Sequence, residues 1–252
     1  LLIMQLNFLS QISLQFQRDF IVKEKLCVEE KLKVIGYGSS NGIDTAYFDP
    51  IIITNEEKEK LITSLKIDET EFVFIFIGRL VKDKGINELI DAFVKTNRQN
   101  CKLLLVGPYE NELDPLLPTT KQIIESNPDI ITVGYQDDVR PYLAISNCLV
   151  FPSYREGFPN VVMQAGAMGL PSIVTNINGC NEIIIEGENG IIIPVKDVAA
   201  LTKAMKYVLD NPVELNRMAS NARQLIVNRY EQKVVWEAIL AEYKELEEKS
   251  QS

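Results

Sequence analysis

The sequence predicts a doubly wound α/β domain, a parallel sheet covered by helices on both faces. Two observations carry this. From Glu71 onward, runs of four to six apolar residues rich in Ile and Val recur along the chain, and amphipathic helical stretches separate them. Strands buried on both faces read as continuous apolar runs, and parallel neighbours need helical crossovers between them. A strand, helix, strand alternation of this kind gives the doubly wound class.

The elements follow in order. FVFIFI is a strand, INELIDAFVKT a helix, CKLLLV a strand, and TTKQIIES lies in a second helix. DIITV, CLVF, PSIVT and GIIIPV continue the strands, with VRPYLAIS, NVVMQAGAM and DVAALTKAMKYVLD as helical stretches. Two further helices, PVELNRMASNARQLIVNRY and YEQKVVWEAILAEYKELEEK, close the chain, the second with a charged tail expected to fray. Upstream, KLKVIGYGSSNGIDTAYFDP reads as one strand and a Gly/Ser-rich loop, a natural hinge or linker. The opening LLIMQLNFLSQISLQF is broken by Gln, Asn and Ser, lacks a basic leader, and falls short of the ~18 apolar residues that span a bilayer. It reads as the inside of a longer helix. The chain begins at Leu1 without Met, so its start is expected to be missing.

Composition narrows the function classes. The 252 residues suit one domain with attached pieces, and 46% apolar with 24% charged residues is ordinary for a soluble globular protein. A formal charge of −9 opposes a nucleic-acid partner, because a phosphate backbone attracts clustered Lys and Arg. A small phosphorylated ligand remains compatible wherever a few cations and backbone amides converge. Cys27, Cys101, Cys148 and Cys180 form no CxxC pair and the chain has no His, so no metal site is expected. Cys27, Cys101 and Cys148 lie in or beside apolar runs and are expected to be buried thiols of a reduced, cytoplasmic protein.

Three stretches could carry chemistry. In FVFIFIGRLVKDKG a buried strand ends at Gly78, and Arg79, Lys82, Lys84 and Gly85 follow in the loop at its carboxyl end, where parallel sheets bind ligands. Arg79 offers a planar fork and Lys84 a mobile point charge, which together could hold a diphosphate. The alternative is a solvated basic turn. In FPSYREGFPNVVMQAGAMGLP, Glu156 and Gly157 precede a helix beginning near Pro159 or Asn160, whose free N–H groups and dipole suit an anion. Gln164, two turns on, can face the same cleft. The alternative is that Glu156 only caps the helix and Gln164 is a satisfied polar residue. In NGCNEIIIEGENGIIIPV, Asn189-Gly190 resembles a tight turn, and Glu182 is either structural or faces the cleft.

Together these segments resemble the C-terminal domain of retaining glycosyltransferases of family 4. GRLVKDKG resembles that family's GRL-x3-KG phosphate loop, and EGFPNVVMQA its E-x7-E signature with the second acid replaced. SSNGIDTAYF is similar to the linker motif, VGYQDDVRPYLAISNCLVFPS to the base-binding loop with its following helix and strand, and GCNEII to the G-x-x-E-[IV] segment. The likeness runs from about Lys33 to Trp236.

The resemblance implies a Rossmann-like, doubly wound sheet, the C-terminal half of a GT-B fold. It divides the chain into 1–50, a remnant of an acceptor domain plus linker; 51–230, the donor-binding domain; and 231–252, a C-terminal helix and tail. Gly78, Arg79 and Lys84 would bind the diphosphate of a UDP- or GDP-linked sugar with backbone amides of Gly157, Phe158, Pro159 and Asn160 around it. Because Pro159 has no N–H, its part is to shape the turn. Glu156 would accept hydrogen bonds from the sugar, Gln164 would face the ribose, and Gly134 and Tyr135 would hold the base. Glu156, Arg79 and Lys84 are the catalytic set, with no cofactor and no metal. Gln164 in place of Glu turns a charge-assisted bond into a neutral one, roughly half as strong.

The family also carries an acceptor-binding domain ahead of the linker, where this chain has only about 35 residues. The implied function is sugar transfer with retention to a cell-surface polysaccharide or glycolipid, incomplete in this chain, in the cytoplasm or at the inner membrane face through the acceptor domain. A non-catalytic nucleotide-sugar-binding subunit paired with a separate acceptor-domain chain is the alternative, and an exposed apolar face on the last helix, Trp236 included, would suit it. A GT-B sugar-nucleotide epimerase shares the architecture, but EGFPN and the lack of His count against it.

Overall fold

The structure, a computed structural model, describes residues 10–12, 15–110, 112 and 114–251. It forms two compact units, one holding the described residues up to Asp44 and from Asn228 onward, the other Thr45–Val227.

In the first unit, β1 (Ser10–Ile12) pairs in parallel with β2 (Leu32–Val34), with Ser10 opposite Leu32, and α1 (Gln15–Lys23) makes the crossover. The expectation of a helix over the opening residues therefore fails at 10–12, whose backbone pairs as a strand, and over 1–9 it lies outside the described residues. The Gly/Ser-rich loop is pinned at its end. Gly42 has φ 64°, donates to the Ser39 hydroxyl at 2.9 Å, and a Cβ there would lie 2.5 Å from the Tyr230 carbonyl oxygen. Ile43 then donates to that carbonyl at 2.7 Å, and Gln232 donates to Ile43 at 3.1 Å.

The second unit opens with α2 (Asn55–Leu65), started by a capping box in which Thr54 and Glu57 satisfy each other's backbone amides. The sheet follows: β3 (Phe72–Ile77), α3 (Ile86–Thr96), β4 (Cys101–Val106), α4 (Pro118–Ser126), β5 (Ile130–Gly134), α5 (Arg140–Ala144), β6 (Cys148–Phe151), α6 (Asn160–Ala167), β7 (Ser172–Thr175), α7 (Cys180–Ile183), β8 (Gly190–Ile193) and α8 (Val198–Asp210). Two long helices, α9 (Pro212–Tyr230) and α10 (Gln232–Gln251), complete the chain. All six strands are parallel, in the order β5-β4-β3-β6-β7-β8. The chain runs outward from β3 to β5, then returns to lay β6 against the other side of β3. This is the doubly wound, Rossmann-like class the apolar runs predict, and its switch point lies between β3 and β6.

Phe74, Ile75, Phe76, Leu103, Leu104, Leu105, Leu149 and Val150 are fully buried. Successive strand residues point to opposite faces, so both faces are covered. Cys101 and Cys148 are buried as expected, but Cys27 is only half-buried, and the third buried thiol is Cys180, the first residue of α7. Trp236, Leu240 and Tyr243 share one exposed stripe along α10. Among the described residues no helix is long and apolar enough to cross a membrane.

The carboxyl edge of the sheet is tightly drawn together. Gly78 donates to Val106 at 2.9 Å, Leu80 to Pro108 at 2.8 Å, and Gly107 to Gly134 at 2.7 Å. A Cβ on Gly107 would fall 1.9 Å from the Gly78 carbonyl oxygen at φ 143°, whereas one on Gly134 (φ 67°) meets no atom within 4 Å. Gly107→Ala is therefore expected to cost roughly 3 kcal/mol or more in chemical denaturation, combining overlap with backbone strain, against about 1 kcal/mol for Gly134→Ala, where only the left-handed backbone is at stake.

Candidate functional site

Two loops flank the switch point. After β3, Gly78 and Arg79 lead into Leu80 and Val81, both buried, then a single 3-10 turn Lys82–Lys84 and Gly85 at φ 71°. A Cβ on Gly85 would lie 2.1 Å from the Pro152 carbonyl oxygen, so only glycine lets this turn press on the end of β6. After β6 the second loop folds back over that turn: Tyr154 N–H donates to the Asp83 carbonyl at 2.9 Å and Arg155 Nε to the Asp83 carboxylate at 2.7 Å. Burial, and next its hydrogen bond to Glu88 of α3, push the Tyr154 hydroxyl well above its ordinary pKa.

This docking brings Lys84 Nζ onto Glu156 Oε1, an ion pair whose side chains are 19% and 15% exposed. Glu156 is not a helix cap. Pro159 occupies the N-cap of α6 and no side chain caps that end. The first N–H groups of a helix have no intrahelical partner, so the start of α6 at Asn160 presents backbone donors beside the pair. A third loop supports the same place: Gly179 has φ 73°, and a Cβ there would lie 2.6 Å from the Gly157 carbonyl oxygen and 2.7 Å from Pro159 Cδ. Next to it, burial raises the pKa of the Cys180 thiol, with the Glu156 carboxylate adding to the rise and Lys84 opposing it. Cys180 thus follows directly on the glycine that packs against Gly157 and Pro159, a placement its sequence position does not announce.

The other predicted residues are placed as follows. Arg79 is 58% exposed and pairs with Glu110 of the loop after β4, so Arg79 and Lys84 engage different carboxylates. Gln164 is half-buried one turn into α6, and Phe158 is half-buried while Gly157 and Asn160 are exposed. Glu182 is half-buried in α7. Gly134 and Tyr135 lie two strands away at the end of β5, with the Tyr135 ring 70% exposed. Behind them, Arg140 forks onto Asp138, with Nε–Oδ1 2.9 Å and Nη2–Oδ2 2.7 Å, and its guanidinium carbon lies 3.6 Å from the centroid of the Tyr47 ring. Glu110, Arg140 and Tyr47 were not singled out from the sequence, since a single charged or aromatic residue carries no pattern there.

Residues 57–225 match the family described as glycosyl transferases group 1. The chain belongs to this family. Among curated relatives of these group 1 glycosyltransferases, the chain is 31% identical over 225 residues to the capsular polysaccharide biosynthesis glycosyltransferase CapM of Staphylococcus aureus, covering 88% of this chain and 58% of CapM. It is 30% identical over 219 residues to the UDP-Gal:alpha-D-GlcNAc-diphosphoundecaprenol alpha-1,3-galactosyltransferase of Escherichia coli, covering 84% and 54%. The chain therefore spans little more than half the length of these relatives. Solved structures superpose well: a glycosyltransferase from Rickettsia africae (TM-score 0.83, 22% identity, 93% of this chain and 62% of that one) and Anabaena HepE in complex with UDP (TM-score 0.80, 20% identity, 96% and 63%). At such identities they establish the GT-B type of fold.

The Asp138 fork has a pH signature. Hydrogen bonds from the Arg140 side chain, ahead of the bond from its backbone amide, hold the Asp138 carboxyl below the usual range and outweigh the opposing effect of burial. A carboxyl with a depressed folded pKa contributes stability above its unfolded value and loses it as pH falls through the folded one. Asp138→Asn is expected to be less stable than the parent at pH 7, with the gap closing as pH is lowered below about 4. Denaturation curves at several pH values check this, and a gap that is constant from pH 7 to pH 3 would contradict it.

Proposed function

We propose that this chain forms the nucleotide-sugar-binding part of a retaining, family-4-type glycosyltransferase, which takes a nucleoside-diphosphate sugar and glycosylates a polysaccharide or glycolipid acceptor held by a domain outside this chain. The observation that carries the reading is the partly buried Lys84–Glu156 pair beside the uncapped start of α6 at the switch point. A ligand that bears an anion next to hydroxyls satisfies both partners at once. Its diphosphate replaces Glu156 as the anion for Lys84, and its sugar hydroxyls donate to the freed carboxylate. The pair is exchanged and neither charge is stranded, which matters because a partly buried charge left without a partner is costly.

In the transfer, the anomeric C–O bond breaks and its electron pair leaves on the diphosphate oxygen. Lys84, Arg79 and the amides at Gly157, Phe158 and Asn160 stabilise that charge. Glu156 orients the sugar through its oxocarbenium-like state while the acceptor hydroxyl attacks from the face the nucleotide leaves and gives up its proton to the departing diphosphate oxygen on that same face. Gly134 and Tyr135 receive the base, and Gln164 the ribose. The UDP-Gal donor named for the E. coli relative and the UDP held by HepE support uracil as the first base to test. CapM's role in capsular polysaccharide biosynthesis supports the acceptor class, and with it a place of action in the cytoplasm or at the inner membrane face. The exposed Trp236, Leu240 and Tyr243 stripe would suit a non-catalytic subunit, but the relatives described above are transferases, and the transferase reading stands first.

Calorimetric titration with UDP, GDP and ADP and their sugar conjugates, without added metal, tests the reading. Saturable binding of one series is expected, and Lys84→Ala and Arg79→Ala should each weaken it by about 1.5–3 kcal/mol, the size of a hydrogen bond to a charged group. Unchanged affinity in both variants would remove the diphosphate assignment. Glu156→Ala should weaken the sugar conjugate and spare the free nucleoside diphosphate, whereas equal loss of both would make Glu156 structural.

A further inference from the structure

We propose that Arg140 is a positioning residue: stacked on Tyr47 and forked onto Asp138, it holds the loop 134–139 in the shape that receives the nucleoside's base. The inference rests on the donor-binding reading and goes beyond it by naming what shapes the base end of the site.

The loop has little of its own to hold it. Gly134 takes φ 67° with no neighbour near its Cα face, and both Tyr135 and Asp137 are exposed. At its start it is tied through the Gly134 carbonyl, which accepts from Gly107 at 2.7 Å, and through Gln136 Nε2, which donates to Val133 at 2.8 Å. At its far end the tie is Asp138. Its carboxylate accepts from the Arg140 backbone N–H at 3.0 Å, from Nε at 2.9 Å and from Nη2 at 2.7 Å. Helix α5 is five residues long, too short to be stable by itself, so the fork needs an external anchor.

Tyr47 supplies that anchor. Its ring lies under the guanidinium at 3.6 Å, and its carbonyl accepts from Arg140 Nη1 at 3.2 Å. The segment that carries Tyr47 is fixed in turn by Arg223 of α9, which donates to the carbonyls of Phe48 at 2.8 Å and Thr45 at 3.1 Å and to the Asp49 carboxylate at 2.6 Å. The contacts therefore run from α9 through residues 45–49 to Arg140 and so to the loop.

Arginine is the side chain this requires, with a flat face to stack and a rigid fork that matches a carboxylate. Three of its five N–H donors are used within the protein, and only 16% of the side chain is exposed. Arg140 is thus placed to act on the loop rather than on a ligand.

The test compares the full chain with Arg140→Ala, Arg140→Lys and Tyr47→Leu. In the ligand-free protein, Arg140→Ala should speed hydrogen exchange at residues 134–138 by about tenfold while the amides of Gly157, Phe158 and Asn160 stay as they were. In calorimetry, affinity for the preferred nucleotide among UDP, GDP and ADP should fall about tenfold, equivalent to 1.4 kcal/mol, and the preference between bases should narrow. Arg140→Lys should lie between the two. If Arg140→Ala does not fold, Tyr47→Leu, which removes the ring under Arg140 but keeps the Tyr47 carbonyl that accepts from Nη1, carries the same comparison. Unchanged loop exchange, or exchange raised equally at 134–138 and 157–160, would overturn the positioning role. Faster loop exchange with unaltered affinity and base preference would overturn its link to the base. A parent chain that binds no nucleotide would overturn the donor reading and the base-receiving role with it, while the exchange data still decide whether Arg140 holds the loop.

Discussion

Lys84 and Glu156 stand 72 residues apart in the chain, and their ion pair exists because β3 and β6 are neighbours in the sheet. The rest of the site depends on that adjacency. Gly85 must accept the Pro152 carbonyl at a distance no side chain permits, and Gly179 must let its loop settle on Gly157 and Pro159. Both glycines take positive φ, so the same residue type removes a Cβ clash and admits the turn. What results is a cation, a carboxylate and the open end of a helix within one partly buried place. A half-buried pair of this kind is modest evidence for stability, because desolvation offsets much of the attraction. On the proposed reading, its value lies in holding two opposite charges ready for a ligand that presents the complementary ones.

The far end of the same edge is organised by different physics. Around Gly134 and Tyr135 no buried pair pulls the loop inward; it is held from behind by the Arg140 fork and the Tyr47 stack. One end of this edge carries charge and helix amides, the other an exposed aromatic ring and backbone. On the proposed reading, the first takes the phosphates of a nucleotide and the second its base.

Much of this architecture was legible from residues alone. Strands such as FVFIFI and CKLLLV are apolar at every position because both faces of the sheet are covered, and helix α3 places Leu89, Ile90 and Phe93 on one buried side. Helix α2 was missed for the converse reason: NEEKEKLITSL buries no residue, so it shows no apolar stripe, and only the Thr54–Glu57 capping box marks it. Gly85 and Glu156 were recognisable as site material by their loops, yet their contacts were not, since these depend on strand order. The Arg79–Glu110 and Arg140–Tyr47 pairs likewise join residues from separate loops, which no spacing rule connects. The opening residues misled because Ser10–Ile12 takes its conformation from pairing with Leu32–Val34 and not from local helical preference.

Membership of the group 1 glycosyltransferases is established over residues 57–225, while the chain spans little more than half of its curated relatives, so the account turns on whether this edge of the sheet takes a nucleotide. The most direct measurement is a crystal structure of the chain with UDP. The account predicts the diphosphate within about 3 Å of Lys84 Nζ and of backbone amides among Gly157, Phe158 and Asn160, with the Lys84–Glu156 pair opened and the base beside Gly134 and Tyr135. UDP bound elsewhere, with that pair intact, would contradict it.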